Sequence, residues 1–78
     1  MAAYAHTNEI MNEFSCSKST VTKCRRFIGE NLERYGIYGN LGRLTNRYAF
    51  ADAYKFREFK APDLLPPFDP IELRRLMG

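Results

Sequence analysis

The fold is decided by residues 7–28, which read TNEIMNEFSCSKSTVTKCRRFI. Ile10 and Phe14 recur at helical spacing, and Thr7 is a residue type that commonly caps the N-terminus of a helix. Residues 15–17 are Ser, Cys and Ser, which are small and mostly polar, as in a turn between two helices. The stretch therefore predicts a short first helix, a turn and the start of a second helix.

The second predicted helix begins at Lys18, behind Ser17, whose hydroxyl is well suited to cap it. Apolar residues then recur at steps of three and four, at Val21, Cys24, Ile28, Leu32 and Tyr35. The stripe passes through Gly29, which weakens a helix by about 1 kcal/mol relative to alanine. We expect the helix to reach about Arg34 and to end at Gly36.

Two further elements follow in the central part of the chain. Residues 37–45 contain two short β-prone pieces around glycine and asparagine, where positive φ costs little, and this predicts a small hairpin. Asn46 can cap a third helix from Arg47 to about Phe59, because small and aromatic residues repeat along one side of that segment. The aromatic side chains of this helix should close the core.

The C-terminal segment has a different composition. Three prolines in residues 61–68 remove backbone donors and fix φ, so this part is expected to be extended. Asp69 and Pro70 then form a helix start, which predicts a final turn or two through Leu76. The expected organisation is a domain of residues 1–60 and a Pro-rich tail of residues 61–78 with a short terminal helix.

The first two predicted helices have the pattern of a helix-turn-helix. That motif locks two helices at a steep angle, so it needs apolar residues between them and small or polar residues at the turn. Ser15 occupies a turn position where glycine is common in a left-handed conformation, which makes the turn costlier. The outward positions at the start of the second helix carry donors suited to phosphates and base edges, and none is acidic: Lys18, Ser19, Thr20, Thr22, Lys23 and Arg26.

The charge distribution points in the same direction. The formal net charge is +3, but residues 15–60 carry ten Lys or Arg against four acids. Such a basic middle suits a polyanionic partner, although a merely soluble basic surface would have the same composition. Arg43 lies near the tip of the predicted hairpin, from which a long cation can reach a minor groove or the neighbouring backbone.

The order of elements, with a hairpin placed as a wing, resembles the winged helix-turn-helix proteins of the excisionase and MerR-like group. The likeness is strongest to short excisionase-like proteins of phages and conjugative elements, and it covers about residues 7–58. The matching stretches are residues 9–14, residues 17–21, and residues 42–45 leading to Phe50 and residues 54–57. The expected fold class is therefore mainly α with a small β-hairpin, as a winged helix-turn-helix.

The resemblance implies a protein that binds tandem duplex DNA sites cooperatively, bends the DNA and helps an integrase or other recombinase to choose excision. On that basis the expected partners are double-stranded DNA, a recombinase and further copies of the same chain on DNA. A small transcriptional regulator with the same fold would have the same sequence pattern. A protein-interaction module of a mobile element is the contrasting hypothesis, with the basic surface against an acidic protein and the Pro-rich tail in a groove.

Other classes of function find little support in the sequence. His6 is the only histidine and lies near the terminus, and no catalytic, phosphate-binding or zinc motif occurs, so neither an enzyme, a metal site nor a cofactor is expected. Cys16 and Cys24 fall on apolar positions and are interpreted as core packing. The aromatic residues between 35 and 59 are interpreted as core, with a stacking platform for single strands as the alternative.

The chain also lacks a long apolar run. No stretch of about 18 apolar residues occurs, and the first residues do not have the pattern of a signal peptide. We therefore expect a cytoplasmic protein that makes no contact with a membrane.

Overall fold

A computed structural model describes residues 3–57 and 65–77. Within them the protein is mainly helical, with one antiparallel sheet of two short strands. The elements in chain order are β1 (Tyr4–Ala5), α1 (Thr7–Phe14), α2 (Lys18–Glu30), α3 (Leu32–Tyr35), a 3-10 helix (Gly36–Tyr38), β2 (Thr45–Asn46), α4 (Arg47–Phe56) and α5 (Pro70–Met77).

The predicted first helix is present, but its N-cap is His6 and not Thr7. The carboxylate of Glu9 accepts a hydrogen bond from the backbone N–H of His6 at 3.2 Å, so the helix start is stabilised one residue earlier than expected. The turn after α1 contains Ser15 at φ 50° and ψ 48°, the left-handed conformation expected at that position. The chain thus reverses with serine in a conformation that favours glycine.

The second helix starts as predicted and ends sooner. The backbone N–H of Thr20 donates to Oγ of Ser17 at 3.2 Å, which confirms the cap. The helix ends at Glu30 because the side-chain amide of Asn31 donates to the carbonyl of Phe27 at 2.8 Å, and helix geometry resumes only in α3. This break rotates Leu32 out of the apolar stripe.

Leu32 is 58% exposed, so its assignment to the core stripe is wrong. The other four stripe positions are buried as predicted. Gly36 ends α3 with φ 55° and ψ −122°, a positive-φ conformation that residues with a side chain rarely adopt.

The predicted hairpin is much smaller than expected. Residues 36–38 form a 3-10 helix, and the only pairing across the turn joins Leu41 and Leu44 through hydrogen bonds of 3.0 and 2.8 Å. The following strand, β2, pairs instead with β1 near the N-terminus, with Ala5 opposite Thr45. The two β-prone pieces are too short to form a ladder with each other. The backbone of β2 pairs instead with β1, about 40 residues earlier in the chain.

Helix α4 completes the core. Oδ1 of Asn46 accepts hydrogen bonds from the backbone N–H groups of Tyr48 and Ala49, both at 3.0 Å, so the predicted cap is confirmed. The helix is described to Phe56, and its predicted end at Phe59 lies outside the described residues. The buried apolar residues come from β1 and from four of the helices: Ala5, Ile10, Val21, Cys24, Ile28, Tyr35, Ala49, Phe50, Ala53 and Phe56.

The described part of the C-terminal segment packs against this core. The Phe68 ring makes edge contacts with Tyr35 and Tyr38, at centroid distances of 5.0 and 5.5 Å. The predicted terminal helix is present as α5, and Oδ1 of Asp69 accepts from the backbone N–H of Glu72 at 3.1 Å. Residues 61–64 of the predicted extended stretch lie outside the described residues, and residues 65–69 are non-helical as expected.

Candidate nucleic-acid interface

Helix α2 separates an apolar face from a polar one. Its buried residues Val21, Cys24 and Ile28 pack into the core. The opposite side is exposed, and we call it the α2 surface: Lys18, Ser19, Thr22, Lys23 and Arg26. The helical repeat of 100° per residue places these side chains around the direction that points away from the core. Five of the seven predicted contact residues therefore share one accessible surface.

Thr20 lies at one edge of α2 and is only partly accessible. Its hydroxyl is 3.2 Å from Oγ of Ser17, the cap residue of the same helix. Thr22, by contrast, is exposed, with its hydroxyl donating to the carbonyl of Lys18 at 3.1 Å. Of the two threonines, Thr22 thus lies closer to the centre of the α2 surface.

Arg43, the seventh predicted contact residue, lies exposed in the turn closed by Leu41 and Leu44. Arg25 of α2 donates through Nη2 to the carbonyl of Gly42 in that turn. In return, the side-chain amide of Asn40 donates to the carbonyl of Arg25 at 3.0 Å. The structure therefore attaches the turn to the flank of α2.

Arg25 and Arg43 also line a shallow pocket next to the start of α1, together with His6, Thr7 and Asn8. No acidic residue lines this pocket within residues 3–57 and 65–77. Sequence reasoning missed Arg25, since it follows the buried Cys24 and lies on the flank of the helix where no periodic pattern identifies a contact. The signal for it was only the run of two arginines at 25 and 26.

Some of the basic residues that give the chain its positive charge are used inside the fold. Arg47, at the start of α4, forms a two-pronged ion pair with Glu13 of α1, with Nε to Oε1 at 2.6 Å and Nη2 to Oε2 at 2.7 Å. The hydrogen bond to Glu13 raises the pKa of Arg47. This guanidinium is buried and fastens the first helix to the fourth.

Arg34 makes hydrogen bonds through all three of its guanidinium nitrogen atoms. Its Nε and Nη2 donate to the two carboxylate oxygens of Asp52, each at 2.8 Å, and its Nη1 donates to the carbonyl of Pro66 at 2.6 Å. The hydroxyl of Tyr35 donates to the same carboxylate at 2.7 Å. The hydrogen bond to Asp52 raises the pKa of Arg34, and burial, then the bond to Asp52, raises the pKa of Tyr35. We call these four residues the Arg34 corner.

Acidic side chains are distributed unevenly along α2. Residues 18–26 contain no acid, whereas Glu30 ends the helix and Glu33 follows in α3, both exposed. The positive end of the helix dipole lies at the N-terminus, where Lys18 also stands. The first half of α2 is therefore the more electropositive half, which is the half that a polyanion would approach.

The cysteines occupy the core side of the molecule. Cys24 is fully buried, and burial raises the pKa of its thiol to about 11. Cys16 is partly buried against the core, and burial raises its pKa as well. Both are free thiols, and the raised pKa makes each less ionised than an ordinary cysteine, which lowers its reactivity.

The core interpretation is confirmed for three of the six aromatic residues described between positions 35 and 59, whereas Tyr38 and Tyr48 are only partly buried. Tyr35, Phe50 and Phe56 are buried, and Tyr54, although 36% exposed, contacts the rings of Phe14 and Phe50. Phe59 lies outside the described residues. The rings therefore pack mainly on one another.

Residues 3–57 and 65–77 contain no cluster of three or more His, Cys, Asp or Glu side chains placed to hold a metal ion. None of the described helices is both long enough and apolar enough to cross a membrane. Comparison with known proteins gave no further guide: no family model matches the chain, and no curated protein or solved structure matches it significantly.

Proposed function

We propose that this protein is a winged helix-turn-helix protein that binds duplex DNA, with α2 in the major groove and the Leu41–Leu44 turn beside it as a reduced wing. The observation that carries the proposal is the α2 surface, where the five exposed residues are all basic or hydroxyl-bearing and none is acidic. In the resembled group such binding serves the choice between excision and integration, or transcriptional regulation, and we extend that role to this protein as part of the proposal.

The dimensions of α2 suit a major groove. Its 13 residues span about 20 Å at 1.5 Å per residue, and a helix with its side chains is about 10–12 Å wide. The major groove of B-form DNA is about 12 Å wide and admits one helix. The first half of α2 can therefore enter the groove while its buried face stays attached to the core.

The side chains of the α2 surface divide into two roles. Lys18 and Lys23 are flexible point charges suited to phosphates, and Arg26 carries a planar fork that can bind a guanine edge or a phosphate with two hydrogen bonds. Ser19 has a short hydroxyl that can donate to or accept from a base edge. Thr22 donates its hydroxyl proton to the Lys18 carbonyl, so it offers its oxygen as an acceptor. Such an arrangement supports recognition and positioning, not chemistry.

The proposal is tested by fluorescence anisotropy with labelled duplex DNA. Arg26→Ala should weaken binding about fivefold to tenfold at low salt, as expected for one charge-assisted contact. Arg74→Ala is the matched control, because it removes the same charge from an exposed position on α5. An equal loss from both variants would indicate that only net charge matters and would contradict the assignment of the α2 surface.

A second arm separates DNA from acidic protein. Polyglutamate at equal charge concentration should compete poorly with duplex DNA, since it has neither a groove nor phosphate geometry. Equal competition would favour the protein-interaction hypothesis and would overturn the proposed function.

A further inference from the structure

Two hydrogen bonds run in opposite directions between α2 and the turn that carries Arg43. Asn40 donates through its side-chain amide to the backbone carbonyl of Arg25 at 3.0 Å, and Arg25 donates through Nη2 to the backbone carbonyl of Gly42. We call this pair of contacts the Asn40–Arg25 clamp. It joins the helix to the turn on both sides of Leu41.

The turn that the clamp holds is a closed unit. Leu41 and Leu44 exchange hydrogen bonds of 3.0 and 2.8 Å, and Gly42 has φ 56°, a conformation that a residue with a side chain rarely adopts. Only Gly42 and Arg43 lie between the two paired leucines. Fixing Gly42 to Arg25 therefore also fixes the backbone of Arg43 relative to α2.

The clamp leaves two buried polar atoms without a hydrogen-bond partner among the described residues. They are Nε of Arg25 and Oδ1 of Asn40. Leaving a buried donor and a buried acceptor unpaired offsets the gain from the two bonds that are made. The main effect of the arrangement is thus on the position of the turn.

The clamp places the exposed Arg43 beside the α2 surface. Arg43 is exposed and shares one pocket with Arg25, the residue that directly precedes Arg26 of the α2 surface. A free two-residue turn would allow the long side chain of Arg43 to sample many directions, and DNA binding would then have to order it. A clamped turn has already met the backbone part of that cost, which leaves only the rotamers of the Arg43 side chain to be ordered.

We infer that Asn40 and Arg25 are positioning residues, which hold Arg43 beside α2 so that it contacts a DNA phosphate next to the groove that α2 occupies. This inference rests on the proposed function. Asn40 is neutral, and its amide group donates to Arg25 and not to a partner. Any effect of Asn40 on DNA affinity must therefore act through the position of Arg43.

The test is a double-mutant cycle between Asn40 and Arg43, measured as duplex affinity by anisotropy at several salt concentrations. Asn40→Ala leaves the charge of the protein unchanged, yet it should weaken binding by most of the loss caused by Arg43→Ala, about fivefold. It should also lower the salt slope by nearly one phosphate contact. In the Arg43→Ala background, Asn40→Ala should have no further effect.

Two controls keep the result interpretable. Asn12→Ala removes an exposed asparagine on α1 and should change neither affinity nor slope. Arg25→Lys keeps the charge and the backbone carbonyl that Asn40 contacts, but its single ammonium group does not take the place of Nη2. It should therefore weaken the bond to the Gly42 carbonyl and reproduce part of the effect of Asn40→Ala, with a melting temperature within a few degrees of wild type. This second variant decides the matter if Asn40→Ala lowers the melting temperature markedly.

The two possible failures differ. Unchanged affinity and slope in Asn40→Ala, or losses that simply add in the double variant, would overturn the positioning role while leaving DNA binding in place. Absence of duplex binding by the wild-type protein would overturn the proposed function itself and the clamp's role with it.

Discussion

The α2 surface and the Arg34 corner use basic residues in opposite ways. On the α2 surface, Lys23 and Arg26 are exposed and make no ion pair within the described part of the chain. At the corner, Arg34 binds Asp52 through two nitrogen atoms and the Pro66 carbonyl through a third. The same residue type therefore builds the fold in one region and is left accessible for a partner in the other.

This difference shows how far a count of charges can be trusted. The basic residues counted in the middle of the chain include Arg34 and Arg47. Both form ion pairs inside the fold, with Asp52 and Glu13 respectively. Among the described residues of that segment, the basic side chains that stay exposed lie on α2, in the Arg43 turn and at one position of α4: Lys18, Lys23, Arg26, Arg43 and Lys55. Local pairing, and not net charge, defines the candidate interface.

The largest expected effect comes from breaking the corner. Asp52→Ala leaves the guanidinium of Arg34 and the hydroxyl of Tyr35 without their shared acceptor, and it should lower the free energy of unfolding by about 3 kcal/mol. Urea unfolding followed by circular dichroism measures this loss. Asp52→Asn is the matched control, because its amide oxygen can still accept one bond; a loss as large as that of Asp52→Ala would contradict the role of a shared acceptor.

A somewhat smaller effect is expected from Phe68, which packs against Tyr35 of the Arg34 corner. Phe68→Ala removes a half-buried ring that contacts Tyr35 and Tyr38, and it should cost about 2 kcal/mol. The corresponding fall in melting temperature is about 8–16 °C for a domain of this size. An unchanged melting temperature would mean that the packing of Phe68 contributes nothing to the stability of the fold.

The two faces of α2 should respond in opposite ways. Val21→Ala removes buried methyl groups and should cost about 1–3 kcal/mol of stability while leaving the DNA affinity of the folded protein nearly unchanged. Lys23→Ala should leave stability nearly unchanged and weaken DNA binding by about one phosphate contact. Thermal melting and anisotropy on both variants give the comparison, and the reverse pattern would place the helix the wrong way round.

Cys24 offers the smallest and most local effect, through pH. Its thiol has a pKa of about 11 in the fold against an ordinary value of 9.0, because burial disfavours the thiolate. The folded state therefore keeps a proton that the unfolded chain releases, so this contribution is fully present below pH 9 and is lost as the pH rises toward 11. Cys24→Ala should show a shallower decline of stability over pH 9–10; an identical decline in both proteins would exclude the thiol as its cause.

The sequence predicted best what is local in the chain. Ser17, Asn46 and Asp69 act as helix caps as expected, because a cap needs only its own side chain and backbone groups two or three residues away. The buried stripe of α2 followed for the same reason from a repeat within one helix. The outward side chains of α2 were found by elimination from that stripe.

What the sequence did not reveal depends on partners far along the chain. The pairing of β1 with β2 joins segments about 40 residues apart, and strands of two residues are too short to show a period. Arg34 and Asp52 are likewise 18 residues apart. The two bonds of the Asn40–Arg25 clamp join residues 15 and 17 positions apart. The end of α2 at Glu30 required knowing that the amide of Asn31 turns back to Phe27.

The central claim is tested most directly by the salt dependence of duplex binding for the wild-type protein. Anisotropy titrations from low to moderate salt should give a logarithm of affinity that falls linearly with the logarithm of salt concentration. The slope should correspond to about three to five phosphate contacts, as the accessible cations of α2 and Arg43 would provide. Affinity that is undetectable at low salt, or that does not change with salt, would contradict the account.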